Sequence, residues 1–286
     1  MRPRDVLDMV LLGAIWGGAF PMLRVAAPAF GPVALIGVRV AVAAAVLLAL
    51  LGARRRLLER SGALFVLAML NTAVPFTLFA YATLGVSAGT ASLLNATTPM
   101  FGALIAFAWL GERLSALQVL GVALGFGGIA AIVWNEVGNQ ADAPAFAVAA
   151  GLAGAALYGI AASYARRRLD GVDAMVVATG CACGAALVMV PAAALTWPEQ
   201  RPGALAWASA VGLGVLCTAL AYVLYFRLLP RIGAARAVTV TFLIPVFGVF
   251  WGAILLGEPL TLTLLLGSAV VLLGTALAMG LFGRRA

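Results

Sequence analysis

Apolar runs of about twenty residues, separated by short polar punctuation, recur along the whole chain. A bilayer core of about 30 Å needs roughly 20 mostly apolar residues per helix, because backbone polar groups in hydrocarbon have only one another to bond. Ten segments meet that requirement. In the first half they run from Val6 to Val25, Val33 to Leu51, Gly62 to Leu84, Ser87 to Leu110 and Leu117 to Trp134. In the second half they run from Ala145 to Ala165, Ala174 to Leu195, Ala204 to Phe226, Ala234 to Leu256 and Leu262 to Phe282. The expected fold is therefore all-α, a polytopic membrane protein of ten transmembrane helices. The opening Met1-Arg2-Pro3-Arg4 and the apolar run after it look superficially like a secretory signal. Such signals precede a soluble domain, whereas here hydrophobic segments follow to the end, so the first is counted as a retained span.

Composition agrees: of 286 residues, 64% are apolar and 10% charged, against about a quarter charged in a soluble domain. There is no Lys and no His, so all 18 basic residues are Arg, and the formal net charge is +8. The placement of those arginines gives the charge its meaning. Fifteen of them lie at the termini and in the even-numbered loops: Arg2, Arg4, Arg54 to Arg56, Arg60, Arg113, Arg166 to Arg168, Arg227, Arg231, Arg236, Arg284 and Arg285. The opposite loops carry mainly Glu136, Asp142, Glu199 and Glu258. By the positive-inside rule both termini are expected in the cytoplasm, beneath a bacterial-type inner membrane. The basic stripes are thus topology signals, and no nucleic-acid partner is expected. Cys181, Cys183 and Cys217 sit in apolar stretches, an odd number without metal-ligand neighbours, and read as packing residues. No metal and no cofactor is expected.

The sequence also repeats. A shift of 146 positions lays Thr72-Ala73 on Thr218-Ala219, Pro99 on Pro245, Phe101-Gly102 on Phe247-Gly248, Leu110-Gly111-Glu112 on Leu256-Gly257-Glu258, Gly121 on Gly267 and Gly128 on Gly274. An earlier match, Trp16-Gly17 on Tyr158-Gly159, needs a shift of 142. The polar stretch Asn135 to Pro144 forms the seam, dividing the chain into repeats over 1–138 and 139–286. Five spans per half is an odd number, so the second half must enter the membrane in the opposite sense. Inverted repeats of this kind suit transporters, because two halves related by a pseudo-twofold axis in the membrane plane can open a midplane site to either side in turn.

The run Phe79-Ala80-Tyr81-Ala82, Ser87-Ala88, Pro99, Leu110-Gly111-Glu112-Arg113-Leu114, Gln118 and Gly121 resembles the EamA repeat of the drug/metabolite transporter superfamily. The second half carries the same pattern in Pro245, Gly257-Glu258-Pro259-Leu260 and Gly267, and Trp16-Gly17 and Arg39 also fit. The resemblance implies a ten-helix carrier, often an exporter of amino acids or related metabolites.

Several residues invite a role. Pro99 and Pro245 stand near the centres of spans four and nine, where a proline removes a donor and frees a carbonyl; a hinge or cavity wall competes with a packing kink. Mid-span aromatic residues Trp16, Phe76, Phe79, Tyr158, Tyr222 and Tyr225, with Asn71, Asn95, Thr98, Ser163 and Thr241, form the candidate lining of a substrate cavity. Each of these polar side chains also has a structural reading as an interhelical tether. Arg39, inside span two, either binds a substrate carboxylate or serves structure by snorkelling or tying down carbonyls freed near Pro21. Asp8 is the carboxylate placed inside a helix, so any proton dependence would pass through it. Glu112 and Glu258 lie at turns and read as structural, and Ser115 with Gln118 spells a capping box. Glycines spaced by four, such as Gly13 and Gly17, Gly121 and Gly125, Gly180 and Gly184, and Gly248 and Gly252, read as packing seams.

The expectation is a secondary carrier for a small-molecule substrate, working in the lipid bilayer as a monomer or weak homodimer. An intramembrane enzyme would need a catalytic constellation, and the chain has no His and no close carboxylate pair. A non-transporting scaffold is the third reading, since packing motifs serve it equally well.

Overall fold

Hydropathy and helix coincide along nearly the whole chain. The computed structural model describes residues 2–51, 59–137, 143–237 and 239–281. Arg54 to Arg56, Arg284, Arg285 and the middle of the seam, residues 138–142, lie outside the described residues. The ten apolar segments are α1 (Pro3–Phe30), α2 (Pro32–Leu51), α3 (Ser61–Gly85), α4 (Ala88–Leu110), α5 (Ala116–Val137), α6 (Ala143–Arg168), α7 (Ala174–Leu195), α8 (Ala204–Ile232), α9 (Val240–Leu256) and α10 (Leu262–Ala278). There is no strand among the described residues. Eight of these helices are long and apolar enough to cross a membrane. The other two, α9 and α10, have 17 residues each, at the short end of the range of about 17–25 that can span.

Four boundaries differ from expectation by four residues or more, one of them the end of the eighth span, which runs on to Ile232 rather than Phe226 and takes in Arg227 and Arg231. The first span runs on to Phe30 rather than stopping at Val25, because Arg24 is absorbed: its Nη1 donates to the carbonyls of Thr83 (2.5 Å) and Val86 (3.1 Å) at the end of α3. The ninth was expected as one helix from Ala234; instead a short turn, Ala234–Ala237, precedes α9. The tenth ends at Ala278 rather than Phe282, where Gly280 takes a positive φ of 71° that ordinary helical backbone does not adopt. By contrast α7 spans Ala174–Leu195 as expected.

The helices are not uniform. α1 is interrupted at Gly18, three residues before Pro21, whose ring crowds the carbonyl of Gly17. α4 breaks at Ala96-Thr97, ahead of Pro99, and the released groups find partners: Thr97 Oγ1 donates to Leu94 O (2.6 Å) and Thr275 Oγ1 of α10 to Ala96 O (3.0 Å). Pro245, in contrast, sits inside an unbroken α9. π-helical turns occur at Met69–Ala73 in α3, Ala106–Leu110 in α4 and Val215–Leu220 in α8. The first and third start 146 residues apart, the period of the sequence repeat.

Packing joins the halves pairwise. The most extensive contacts are α5 with α10, α2 with α7, α3 with α6 and α1 with both α8 and α9, while α4 packs on α6 and α9. Backbones come close where side chains are missing. A Cβ on Gly121 would stand 2.5 Å from Ala278 N, and one on Gly274 would stand 2.5 Å from Gly125 N, so α5 and α10 meet main chain to main chain. Gly13 and Gly17 receive Leu243 and Phe247 of α9 in the same way, and Gly180 and Gly184 receive Leu64 and Ala68 of α3. The capping box at the start of α5 is formed: Ser115 N donates to Gln118 Oε1 (2.9 Å) and Gln118 N to Ser115 Oγ (3.3 Å).

Candidate functional site

Arg39 lies on α2 and is only 5% exposed. Its Nε donates to Thr218 Oγ1 at 3.0 Å, and its guanidinium carbon stands 3.6 Å from the centroid of the Phe76 ring. Thr218 belongs to the π-helical turn of α8 and donates its own hydroxyl to the Leu213 carbonyl (2.8 Å), which aims its remaining lone pair at the arginine. Arg39 does not reach the carbonyls near Pro21, nor does it snorkel. The terminal amino groups of its guanidinium, which carry four N–H donors, meet no acceptor among the described residues. The ionisable groups facing it are Tyr158, Tyr222 and Cys217, all neutral side chains in their ordinary form, with no carboxylate among them.

Around that cation the aromatic residues form a linked chain. The Phe79 ring stacks on Tyr158 with centroids 5.9 Å apart, and Phe20 meets Phe79 edge-on at 6.0 Å. On the other side Trp16 packs on Tyr225 at 5.6 Å, and Phe226 connects Tyr225 (5.4 Å) to Tyr222 (6.0 Å). Tyr222 in turn faces the side chains of Asn71 and Thr72 on the π-helical turn of α3. Trp16, Asn71, Phe76, Phe79, Tyr158, Tyr222, Tyr225 and Arg39 are therefore brought together from α1, α2, α3, α6 and α8. Such contacts of about 5–6 Å between ring centroids fix ring orientation as well as burying area.

Further candidates stand on α1, α4, α6 and α9. Asn95 ends the first segment of α4 beside its break, Ser163 is buried on α6, and Thr241 is partly buried near the start of α9. Thr98 Oγ1, just past the break, is buried without a hydrogen-bond partner among the described residues. Asp8 joins Arg231 of α8 in an ion pair, and Asp5, which also proves to lie within α1, approaches Arg231 at 3.4 Å. That triad ties the start of α1 to the end of α8. Among the described residues no three His, Cys, Asp or Glu side chains gather as metal ligands would.

Two contributors escape sequence reasoning. Thr218 had a signal, since Thr72-Ala73 and Thr218-Ala219 coincide in the repeat, but nothing local pairs it with a residue 179 positions earlier. Glu258, correctly read as structural, acts farther away than its turn: Oε1 accepts from Ala88 N (2.7 Å) and Oε2 from Gly89 N (3.1 Å), covering the exposed amides at the start of α4.

A half-buried cluster of polar and aromatic side chains around a buried arginine, set among apolar helices that can cross a bilayer, marks a polytopic membrane protein with a candidate internal site. The EamA-like transporter family matches residues 6–134 and again 145–280, and the chain belongs to that family. It is similar to the uncharacterized transporter YvbV of Bacillus subtilis, with 26% identity over 94% of this chain and 90% of that one. It is also similar to a protein of Streptantibioticus cattleyicolor named a probable terminal-alkyne amino-acid exporter, with 27% identity over 96% of this chain and 93% of that one. A solved crystal structure has the same fold, with a TM-score of 0.71 at 20% identity, covering 100% of this chain and 99% of the other.

Proposed function

We propose that this transporter is a ten-span carrier that exports amino acids or related small metabolites across the inner membrane by alternating access, with both termini cytoplasmic. The observation that carries the reading is the half-buried polar and aromatic cluster around Arg39, contributed by both halves, which we read as the wall of a substrate chamber. The halves, 1–138 and 139–286, act as inverted repeats about an axis in the membrane plane. Three features support this. The family matches twice, once in each half. The π-helical turns of α3 and α8 keep the repeat's period. The contacts also exchange under it: α2 with α7, α4 with α9 and α5 with α10 map onto themselves, and α3 with α6 maps onto α8 with α1. The amino-acid class is suggested by the name of the Streptantibioticus cattleyicolor relative.

The test is efflux from proteoliposomes preloaded with amino acids and related metabolites. Alanine at Trp16, Phe79, Tyr158 or Tyr222 should reduce protein-dependent efflux at least tenfold while leaving insertion intact, and efflux indifferent to all four would remove the chamber from the pathway. Reporter fusions at both ends test the topology; an external signal from the C terminus overturns it. Movement runs down the substrate's own gradient, because Asp8 is held by Arg231 rather than standing free in the chamber. An imposed pH gradient should therefore drive little uphill accumulation in the parent; accumulation that it does drive, undiminished in the Asp8→Asn variant, would place a coupling group elsewhere.

A further inference from the structure

We propose that Arg39 is the anchoring cation for a carboxylate on the transported molecule, and that the site selects for that carboxylate while making no demand for an ammonium group. The inference rests on the transport reading above and deepens it.

The charge count of the chamber is the starting point. A guanidinium in a membrane-embedded interior is costly and is found paired with anions or carbonyls, or facing a wet cavity. Among the described residues Arg39 has one hydrogen bond, to Thr218, and one ring, Phe76. The attraction of a ring face for a cation falls well short of that of a full counter-ion. The ionisable neighbours among the described residues are two phenols and a thiol, none of which supplies a negative charge in its ordinary form. Elsewhere it pairs its ions readily: Arg231 holds Asp5 and Asp8, and Arg166 holds Glu112 at 2.9 Å. Arg39 is set apart as a cation awaiting its partner.

Geometry narrows the partner. Thr218 engages Nε and Phe76 covers the face of the guanidinium, so the planar edge bearing the terminal amino groups is left for the ligand. A carboxylate accepts two parallel N–H bonds from such an edge, the bidentate arrangement that makes arginine its preferred receptor. The remainder of the molecule then lies among Tyr158, Tyr222 and the rings linked to them, which suits an apolar or aromatic body. An ammonium finds no carboxylate there and is repelled by Arg39, so a molecule that is cationic overall is rejected. A carboxylic acid without an amine fits as well as an amino acid.

Three probes of one shape separate these terms: 3-phenyllactate carries only the carboxylate, phenylalanine both groups, and phenylalaninamide only the ammonium. Each is preloaded into proteoliposomes holding the full chain at slightly acid pH, with leak from protein-free vesicles subtracted. The expected protein-dependent rates for phenyllactate and phenylalanine agree within about threefold, with phenylalaninamide at least tenfold slower. Arg39→Gln should bring both carboxylates down to the amide's level, and Arg39→Lys should keep part of the difference. The parent protein alone decides the main point, so a variant that fails to fold does not protect the idea. Phenylalaninamide leaving as fast as phenylalanine would overturn the carboxylate anchor and leave transport standing. If none of the three moves, the metabolites that do move in the wider efflux screen decide: all carboxylates supports the anchor, and any fast substrate lacking one overturns it. Movement of nothing at all removes the transport reading and this inference with it.

Discussion

The turns after α4 and α9 share the sequence Leu-Gly-Glu and the same backbone. Gly111 and Gly257 take positive φ values of 72° and 67°, and Glu112 N and Glu258 N each donate six residues back, to Ala106 O (3.3 Å) and Gly252 O (3.2 Å). This is the left-handed glycine ending of a helix. Yet the two glutamates do opposite things. Glu258 folds inward and holds the amides of Ala88 and Gly89, whereas Glu112 turns out to a half-exposed ion pair with Arg166. The repeat register locates the difference. Gly252 corresponds to Ala106 and Gly89 to Ala235. The absent side chain of Gly252 is the space that the Glu258 carboxylate occupies, while at Ala106 a methyl group fills that space and a π-helical turn follows. One methyl group, and not the glutamate motif, decides which end of the molecule is fastened from within.

That comparison can be broken by substitution. Removing Glu258 should have the largest effect. Charge-assisted bonds to backbone amides contribute about 1.5–3 kcal/mol each, so Glu258→Ala should lower unfolding free energy in detergent by about 3 kcal/mol; a loss no greater than that of Glu112→Ala would sink the argument. Gly252→Ala places a methyl group against the carboxylate and should cost about 1–2 kcal/mol, since overpacking is partly relieved by side-chain movement. A double-mutant cycle sharpens this: combined with Glu258→Ala, the Gly252→Ala loss should shrink toward zero, and full additivity would separate the two residues. Arg231→Met releases the partly exposed Asp8 and the buried Asp5 from a cation that is itself 41% exposed, and should cost about 1 kcal/mol, with the Asp8 share fading in high salt. Glu112→Ala should fall within about 0.5 kcal/mol of the parent, because its ion pair is 48% and 64% exposed.

How far the fold is legible follows from the same physics. Hydropathy locates helices well because the bilayer imposes length and apolarity locally, and α7 was placed to the residue. Ends decided by distant partners are not: the stretch of α1 beyond Val25 becomes legible only when the carbonyls of Thr83 and Val86 are seen to take up Arg24. The prolines make the point in reverse. Pro99 and Pro245 occupy matching positions, but α4 breaks where Thr275 can take a released carbonyl, and α9 continues. In the chamber, mid-span aromatic residues could be chosen as candidates by type and depth. Their linkage through Phe20 and Phe226, and the hold of Thr218 on Arg39, depend on helices that meet only in three dimensions.

The glycine contact of α5 with α10 carries a consequence for how tolerance to mutation is read. Gly121 and Gly274 bear no functional group, yet any side chain there would strike the opposite backbone. A map of every substitution scored by survival would therefore mark this strip as darkly as the chamber around Arg39. Dark positions would divide into two kinds only when cellular abundance is scored beside flux: the glycine strip would darken in both, while the lining of the chamber would darken in flux alone.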